Sequence, residues 1–306
     1  SHLTRIEGLL NAGEYEKAKI ALAEAFKLSA SRQARARLYN CQGVISHIDG
    51  RDNESIKALN KALKLDPTVA DDPDFNFNIG CAYLTKLTPE RLPLKIGKKE
   101  MRFLKVAEEH FGKVLDMSPD FAEKGMVYFH LGYIHRLRRE NEKALSYFKK
   151  AVELQIPPEA KGDTYEQIAN ILGEKEKYDE SVNNYLQALK YLSDPMALAD
   201  VYLQVGTIMV LNKNPDATAY LEKSLELCKE ISVPSIQNKL KSDAHFFLGE
   251  GLADAGKYDQ AISHLEISRE LERGLRKKRE IDLVLRRVRM RKERSGREGT
   301  RPGVRS

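Results

Sequence analysis

Apolar and polar residues along this chain follow the spacing of amphipathic helices, and the helices come in pairs. In residues 34–67, the residues Tyr39, Gln42, Gly43 and Ser46 fall at the i, i+3, i+4, i+7 positions of one helical face. A second helical face follows, and it is marked by Ser55, Leu59 and Ala62. The pattern predicts a helix–turn–helix unit.

Turn-forming residues bound the two helices of this unit. Gly50 separates them, and we expect it to be a helix C-cap, because glycine accepts a left-handed backbone conformation. Asp66 and Pro67 end the second helix, because proline lacks an amide donor and restricts the residue before it.

Small residues recur in the middle of the first helix of such units, and three of the intervals between them are 37 residues. They are Gly43, Gly80, Gly132, Ala169, Gly206 and Gly249. A period of this length predicts an array of small units that bury their apolar faces on one another. The functional question therefore moves from a catalytic pocket to a long surface.

The units resemble the tetratricopeptide repeat, which has an aromatic, a large apolar residue and glycine in the first helix, then alanine, an aromatic and alanine in the second. One unit shows all six: Tyr128, Leu131, Gly132, Ala144, Phe148 and Ala151. Asn76 and His245 stand at the first aromatic position of repeats 3 and 7. The resemblance implies an all-α, right-handed superhelical α-solenoid of about seven repeats with a C-terminal capping helix.

Departures from the period set the expected domain boundaries. Residues 1–271 form the repeat solenoid, with an inserted loop near 86–100 and a longer connection in the 43-residue step from Gly206 to Gly249. Residues 272–294 form a basic capping helix, and residues 295–306 form a disordered basic tail.

Charge is unevenly distributed over the 306 residues. From residue 272 to the end there are 14 Lys and Arg against 5 Asp and Glu, a net charge of +9, whereas the rest has 37 against 40, a net charge of −3. No run of about 18 apolar residues occurs, so no membrane span is expected. The three cysteines form no C-x-x-C pair, and we expect reduced thiols in an intracellular, cytoplasmic setting.

Motifs for catalysis are lacking. The seven histidines have no metal-ligand spacing, and no spacing indicates a Ser/His/Asp or Cys/His arrangement. We therefore expect no enzyme, no cofactor and no metal. The hypothesis is an interaction scaffold that binds protein or peptide partners and takes part in assembling a larger complex.

The resemblance implies that partners bind in a concave groove lined by the first helices. Mapping the family's inward positions onto this chain gives aromatic residues in the middle of the groove and acidic residues in the last unit. The candidate partner-binding residues are Asn40, His47, Phe77, Phe129, Tyr133, Arg136, Glu166, Asn170, Phe246 and Glu250.

The basic tail supplies the alternatives. Its cations could bind an anionic partner, either nucleic acid or acidic protein, and without an aromatic residue any nucleic-acid contact there would be electrostatic. A third alternative is a transcription-corepressor-type adaptor, from the similarity of residues 107–121 to repeat junctions of such proteins. The candidate tail residues are Arg276, Lys277, Lys278, Arg279, Arg286, Arg287, Arg289, Arg291, Lys292 and Arg294.

Overall fold

A computed structural model describes residues 2–29, 31–87 and 96–299. These ranges contain no strand, and none of their helices is long and apolar enough to cross a membrane. The α-helices, in chain order, are α1 (His2–Asn11), α2 (Tyr15–Leu28), α3 (Arg32–Ile48), α4 (Asp52–Leu65), α5 (Pro73–Thr85), α6 (Lys98–Met117), α7 (Lys124–Leu137), α8 (Asn141–Glu153), α9 (Pro158–Glu174), α10 (Tyr178–Ala188), α11 (Pro195–Leu211), α12 (Ala217–Leu227), α13 (Pro234–Asp254), α14 (Tyr258–Leu271) and α15 (Leu275–Gly299). Short 3-10 helices lie at Pro67–Asp71 and Cys228–Glu230.

The helices pack in pairs, and each pair is one repeat. Each odd-numbered helix from α1 to α13 packs most extensively on the even-numbered helix that follows it, which gives repeats 1 to 7. The chain divides into two compact units, Ser1–Ile156 with α1–α8 and Pro157–Ser306 with α9–α15. The predicted all-α repeat architecture is confirmed.

Glycines lie where the two helices of a repeat cross. A Cβ atom on Gly132 would stand 2.6 Å from Cδ1 of Phe148, and one on Gly206 would stand 2.5 Å from Cγ of Leu221. Both distances are far below van der Waals contact, so a larger residue would push the helices apart. The other glycine crossings pair Gly43 with Leu59, Gly80 with Phe111, and Gly249 with Leu265.

One residue in most of the turns within repeats has a left-handed backbone. Gly50 has the predicted left-handed conformation, with a φ of +71°, and follows Asp49, which is the C-cap residue of α3. Gly13 and Gly256 have φ values of +72° and +75° at the equivalent turns. In repeats 4 to 6 the same position holds a residue with a side chain: Arg139 (62°), Glu176 (59°) and Lys213 (54°).

The extra residues of repeat 3 fall between α5 and α6. Most of the loop predicted near 86–100 coincides with residues 88–95, which lie outside the described residues. Lys98 begins α6, so the last three residues of that predicted loop are helical. The backbone N–H of Gly97 donates to Oε2 of Glu100 over 3.0 Å and closes the first turn of the helix.

The 43-residue step between Gly206 and Gly249 lengthens a helix. The chain turns through Cys228–Glu230 and α13 then begins at Pro234, with 21 residues against 17 in α11. The sequence predicted a longer connection here. The extra residues instead go largely into the first helix of repeat 7.

The last helix, α15, covers repeat 7. Its apolar stripe is buried together with Leu265 of α14 and Phe246 of α13, and the stripe consists of Ile281, Val284, Leu285 and Val288. The expected boundary at residue 294 lies inside this helix, which continues to Gly299. Residues 300–306 lie outside the described part of the chain.

Candidate functional site: the first-helix faces and the basic C-terminal helix

First helices of successive repeats lie side by side. In the first unit α3 packs against α1 and α5, and α5 packs against α7, while in the second unit α11 packs against α13. We call the surface of these odd-numbered helices the first-helix face of each unit. The predicted binding residues belong to them: Asn40 and His47 to α3, Phe77 to α5, Phe129, Tyr133 and Arg136 to α7, Glu166 and Asn170 to α9, and Phe246 and Glu250 to α13.

Phe129 and Tyr133 form an aromatic pair on α7. They are four residues apart, so they share one helical face, and their ring centroids are 5.1 Å apart. Both rings contact the buried ring of Phe148 edge-on, at 6.5 and 5.8 Å. Since both residues are only half-buried, part of each ring is accessible on the first-helix face.

Phe77 contributes more to the core than to the surface. Its ring contacts Phe111, Phe121 and His130 at centroid distances of 6.0, 5.7 and 6.0 Å. It remains half-buried. Phe77 therefore supports the face by holding α5 against α6 and α7, and only part of its ring is open to a partner.

Asn40 and His47 lie along α3. Asn40 lines an open cleft of about 640 Å³ with Arg37 and Gln33, and its Oδ1 is buried without a hydrogen-bond partner among the described residues. The Nδ1 of His47 is also unpaired, 3.8 Å from Oδ1 of the buried Asp52. Burial lowers the pKa of His47, and Asp52 opposes that shift.

Arg136 is fixed to the first residue of α8. Its Nη1 donates to Oδ1 of Asn141 over 2.9 Å. Because the guanidinium is held in this way, Arg136 presents a positioned charge one turn beyond Tyr133.

Glu166 and Asn170 lie one turn apart on α9. The hydroxyl of the buried Tyr185 donates to Oδ1 of Asn170 over 2.6 Å, so Asn170 joins α9 to α10 as well as lining the face. Burial, together with smaller effects of the neighbouring charges of Asp163 and Asp200, raises the pKa of Glu166 to about 7. Part of the Glu166 population is therefore protonated near neutral pH.

Three aspartates at one repeat position were missed by the sequence prediction. Asp163, Asp200 and Asp243 occupy the second position of repeats 5, 6 and 7, separated by 37 and 43 residues like the small residues of those repeats. Burial raises the pKa of Asp200 and of Asp243. The same spacing that located the glycines would have found them.

Phe246 and Glu250 are covered by α15. Phe246 is only 3% exposed, and Nζ of Lys277 lies 4.2 Å from its ring centroid. Glu250 accepts a 2.9 Å hydrogen bond from Arg287. The expectation that Phe246 is accessible to a partner is corrected, because the capping helix lies over this end of the first-helix face.

The basic residues of α15 divide into two sets. One set contacts repeat 7: Lys277 with Phe246, Arg287 with Glu250, Arg289 with Glu266, Arg291 with Asp254 and Lys292 with Asp259. The other set has no ion pair within the described residues: Arg276, Lys278, Arg279, Arg286 and Arg294. The candidate tail residues thus have two different environments.

Two pairs of titratable side chains have the proximity but not the charge state of reactive groups. The Sγ of Cys81 lies 3.6 Å from Nε2 of His130, but burial raises the pKa of Cys81 and lowers that of His130 to about 4. Both groups are therefore neutral, unlike an activated thiolate. His245 and His264 share a hydrogen bond of 2.8 Å between their Nδ1 atoms.

Three stretches of the chain match the sequence profile of the tetratricopeptide repeat, residues 36–69, 127–155 and 162–191. They coincide with the helix pairs α3–α4, α7–α8 and α9–α10. These three helix pairs are tetratricopeptide repeats. No curated protein matches it.

Solved structures of tetratricopeptide-repeat proteins share its fold. The C-terminal part of such a protein from Cytophaga hutchinsonii has a TM-score of 0.61 at 11% identity, covering 91% of this chain and 98% of that one. PilF of Pseudomonas aeruginosa has 0.54 at 16%, covering 82% and 98%. YrrB, described as a TPR protein with an unusual peptide-binding site, has 0.51 at 15%, covering 71% and 93%. The repeats support a protein-interaction scaffold.

Proposed function

We propose that this tetratricopeptide-repeat protein is a non-enzymatic scaffold whose first-helix faces bind segments of partner proteins and so assemble a larger complex. The observation that carries the proposal is the pair Phe129 and Tyr133. Its two half-buried rings are supported from below by Phe148 and followed by the fixed charge of Arg136. Rigid aromatic groups beside a positioned arginine are typical anchors for a partner segment.

The unpaired polar atoms of α3 support the same proposal. The Oδ1 of Asn40 and the Nδ1 of His47 are buried without hydrogen-bond partners among the described residues. A buried polar group without a partner is unfavourable by about 1–3 kcal/mol. A bound segment that supplies backbone N–H or C=O groups would relieve this.

The test uses the intact chain and a mapped segment. Partners are captured from the source cells, their sequences are scanned as overlapping peptides, and the dissociation constant of the binding peptide is measured by calorimetry. We expect Tyr133→Lys and Phe129→Ala to weaken binding about tenfold or more each. Tyr133→Lys keeps an aliphatic stem over Phe148, so its fold is expected to persist.

The matched control is Ile20→Ala, which removes an exposed apolar side chain from α2, the second helix of repeat 1 and therefore not part of a first-helix face. It should leave the dissociation constant unchanged. The proposal would be contradicted if Ile20→Ala weakened binding as much as the α7 variants do. It would also be contradicted if the partner bound only as a folded domain and neither α7 variant changed its affinity.

A further inference from the structure

The outward surface of α15 is a charged stripe distinct from its contacts with repeat 7. At 100° per residue, six exposed residues share one side of the helix, opposite the buried apolar stripe. We call them the outward face, and they are Arg276, Arg279, Leu283, Arg286, Met290 and Arg294.

No ion pair within the described residues neutralises the four arginines of the outward face. The carboxylates of α15 at its flanks are engaged elsewhere: Glu280 pairs with Lys277 at 3.3 Å, and Asp282 pairs with Arg269 at 2.5 Å. Glu293 lies at the edge of the outward face and leaves it with a net charge of +3. Since like charges on one helical face repel one another, an anionic partner is favoured there.

Two apolar side chains interrupt the arginines. Leu283 is 64% exposed and Met290 is 53% exposed, and they are seven residues apart on the same side of the helix. Exposed apolar groups at a heptad spacing, flanked by charges of one sign, have the pattern that one amphipathic helix offers to another. The flanking charges then select the sign of the partner.

We propose that the outward face of α15 docks an acidic amphipathic helix of a partner protein, whose apolar residues cover Leu283 and Met290 and whose carboxylates pair with Arg279 and Arg286. This surface is separate from the first-helix faces. It gives the chain a second interaction surface with a partner of defined chemistry.

Two other anionic occupants fit the outward face less well. A helix that lies on a lipid surface inserts a broad apolar stripe, but the broad stripe of α15 is already buried on repeat 7. A nucleic acid gains from arginine contacts with phosphates, but Leu283 and Met290 offer nothing to a phosphate backbone, and α15 has no aromatic residue for stacking on bases.

The test uses the full chain and a fluorescent helical peptide of about 21 residues, or three heptads, with leucines seven residues apart and glutamates on both flanks. A second peptide has serine in place of the leucines at equal charge. Fluorescence anisotropy is measured at about 0.15 M salt. We expect saturable binding of the leucine peptide and about tenfold or weaker binding of the serine peptide.

Variants of the chain identify the surface. Leu283→Ser with Met290→Ser should weaken binding of the leucine peptide about tenfold, and Arg279→Glu with Arg286→Glu should abolish it. The control, Lys190→Glu with Lys229→Glu, makes the same charge change at exposed lysines of the second unit outside α15 and should have little effect. All four residues of the α15 variants are exposed, and thermal unfolding by circular dichroism verifies that the fold is kept.

Three results would overturn the proposal. The first is equal affinity for the leucine and serine peptides, and the second is equal loss of binding in the lysine control. The third is that duplex RNA, or phosphatidylcholine vesicles with a phosphatidylserine fraction of about 0.25, binds through Arg279 and Arg286 more tightly than the leucine peptide does. That result would assign the outward face to phosphates or lipid.

Discussion

Arg287 of α15 donates a hydrogen bond from Nη2 to Oε1 of Glu250 on α13 over 2.9 Å. One turn further along both helices, Nη1 of Arg291 makes the equivalent contact with Oδ1 of Asp254, also at 2.9 Å. Together with the burial of Ile281 in the apolar stripe, these contacts set the register of the capping helix on the first-helix face of repeat 7.

The apolar stripe, rather than the ion pairs, should hold α15 in place. Ile281 is completely buried, so Ile281→Ala should lower the free energy of unfolding by about 2–4 kcal/mol. Arg287 is 60% exposed, so Arg287→Ala should lower it by less than about 1 kcal/mol. Urea unfolding followed by circular dichroism measures both values, and hydrogen exchange shows whether α15 opens first. Equal losses would mean that the ion pairs dominate.

The turns of repeats 4 to 6 offer a gain in stability. Glu176 has a φ of 59°, where a side chain is unfavourable, and Gly50 shows that glycine takes the equivalent position in repeat 2. Glu176→Gly should raise the free energy of unfolding by about 0.5–1 kcal/mol, after allowing for the larger backbone entropy of glycine when unfolded. Gly50→Ala is the matched reverse and should lower the melting temperature. A lower melting temperature for Glu176→Gly would contradict this account.

The period of the small residues was enough to predict the repeats, because a glycine at a helix crossing is a local requirement that recurs in each unit. It did not predict which partners Asn76 and His245, the polar residues at the first aromatic position of repeats 3 and 7, would bind. Oδ1 of Asn76 lies 2.8 Å from Nδ1 of His110, 34 residues later, and His245 meets His264. Such pairings depend on which side chains two packed helices bring together.

The capping of repeat 7 by the last helix was predicted, but its side-chain partners on that repeat were not, for a related reason. Periodicity defines an apolar side for each helix, but it does not show which acidic side chains of repeat 7 pair with which cations of α15. Tyr128, which holds the first aromatic position of repeat 4, is not fully buried. It is half-buried and stacks on Tyr147 at a centroid distance of 6.1 Å, so its truncation should matter less than that of the fully buried Phe148.

The cysteines should be unreactive in the folded chain. All three are buried, and burial raises the pKa of Cys41 to about 12 and also raises those of Cys81 and Cys228. Ellman's reagent is a disulfide that is attacked by the cysteine thiolate, so we expect no rapid labelling at neutral pH and three labelled thiols in denaturant. Rapid labelling of Cys81 in the native chain would show that the Cys81–His130 pair is activated.

Glu166 should make the chain less stable as the pH rises. Its folded pKa of about 7 lies above the ordinary glutamate pKa of 4.5, so its contribution to stability is complete below pH 4.5 and is lost as the pH rises through 7. Glu166→Gln should therefore raise the free energy of unfolding at pH 8 by on the order of 1–2 kcal/mol and change little at pH 4.5. Chemical denaturation at both pH values measures the difference, and a gain of equal size at both would indicate a packing effect.

His130 should act in the opposite direction on the acidic side. Its pKa is lowered from 6.5 to about 4 by burial, with a smaller effect of His47, and its ring stacks on Phe111 at a centroid distance of 5.2 Å. The unfolded chain therefore binds a proton first, and stability that is present above pH 6.5 is lost as the pH falls toward 4.

The variant His130→Phe keeps an aromatic ring against Phe111 but removes the titrating group. It should reduce the fall in unfolding free energy between pH 6.5 and 4 by about 1–3 kcal/mol. Measurement at pH 8, where the imidazole is neutral in both states, gives the packing effect of the substitution alone and serves as the internal control. If the variant and the parent lose stability in parallel below pH 6.5, the acid sensitivity originates elsewhere, with His110 and His245 the next to replace, since burial lowers their pKa values to about 4 as well.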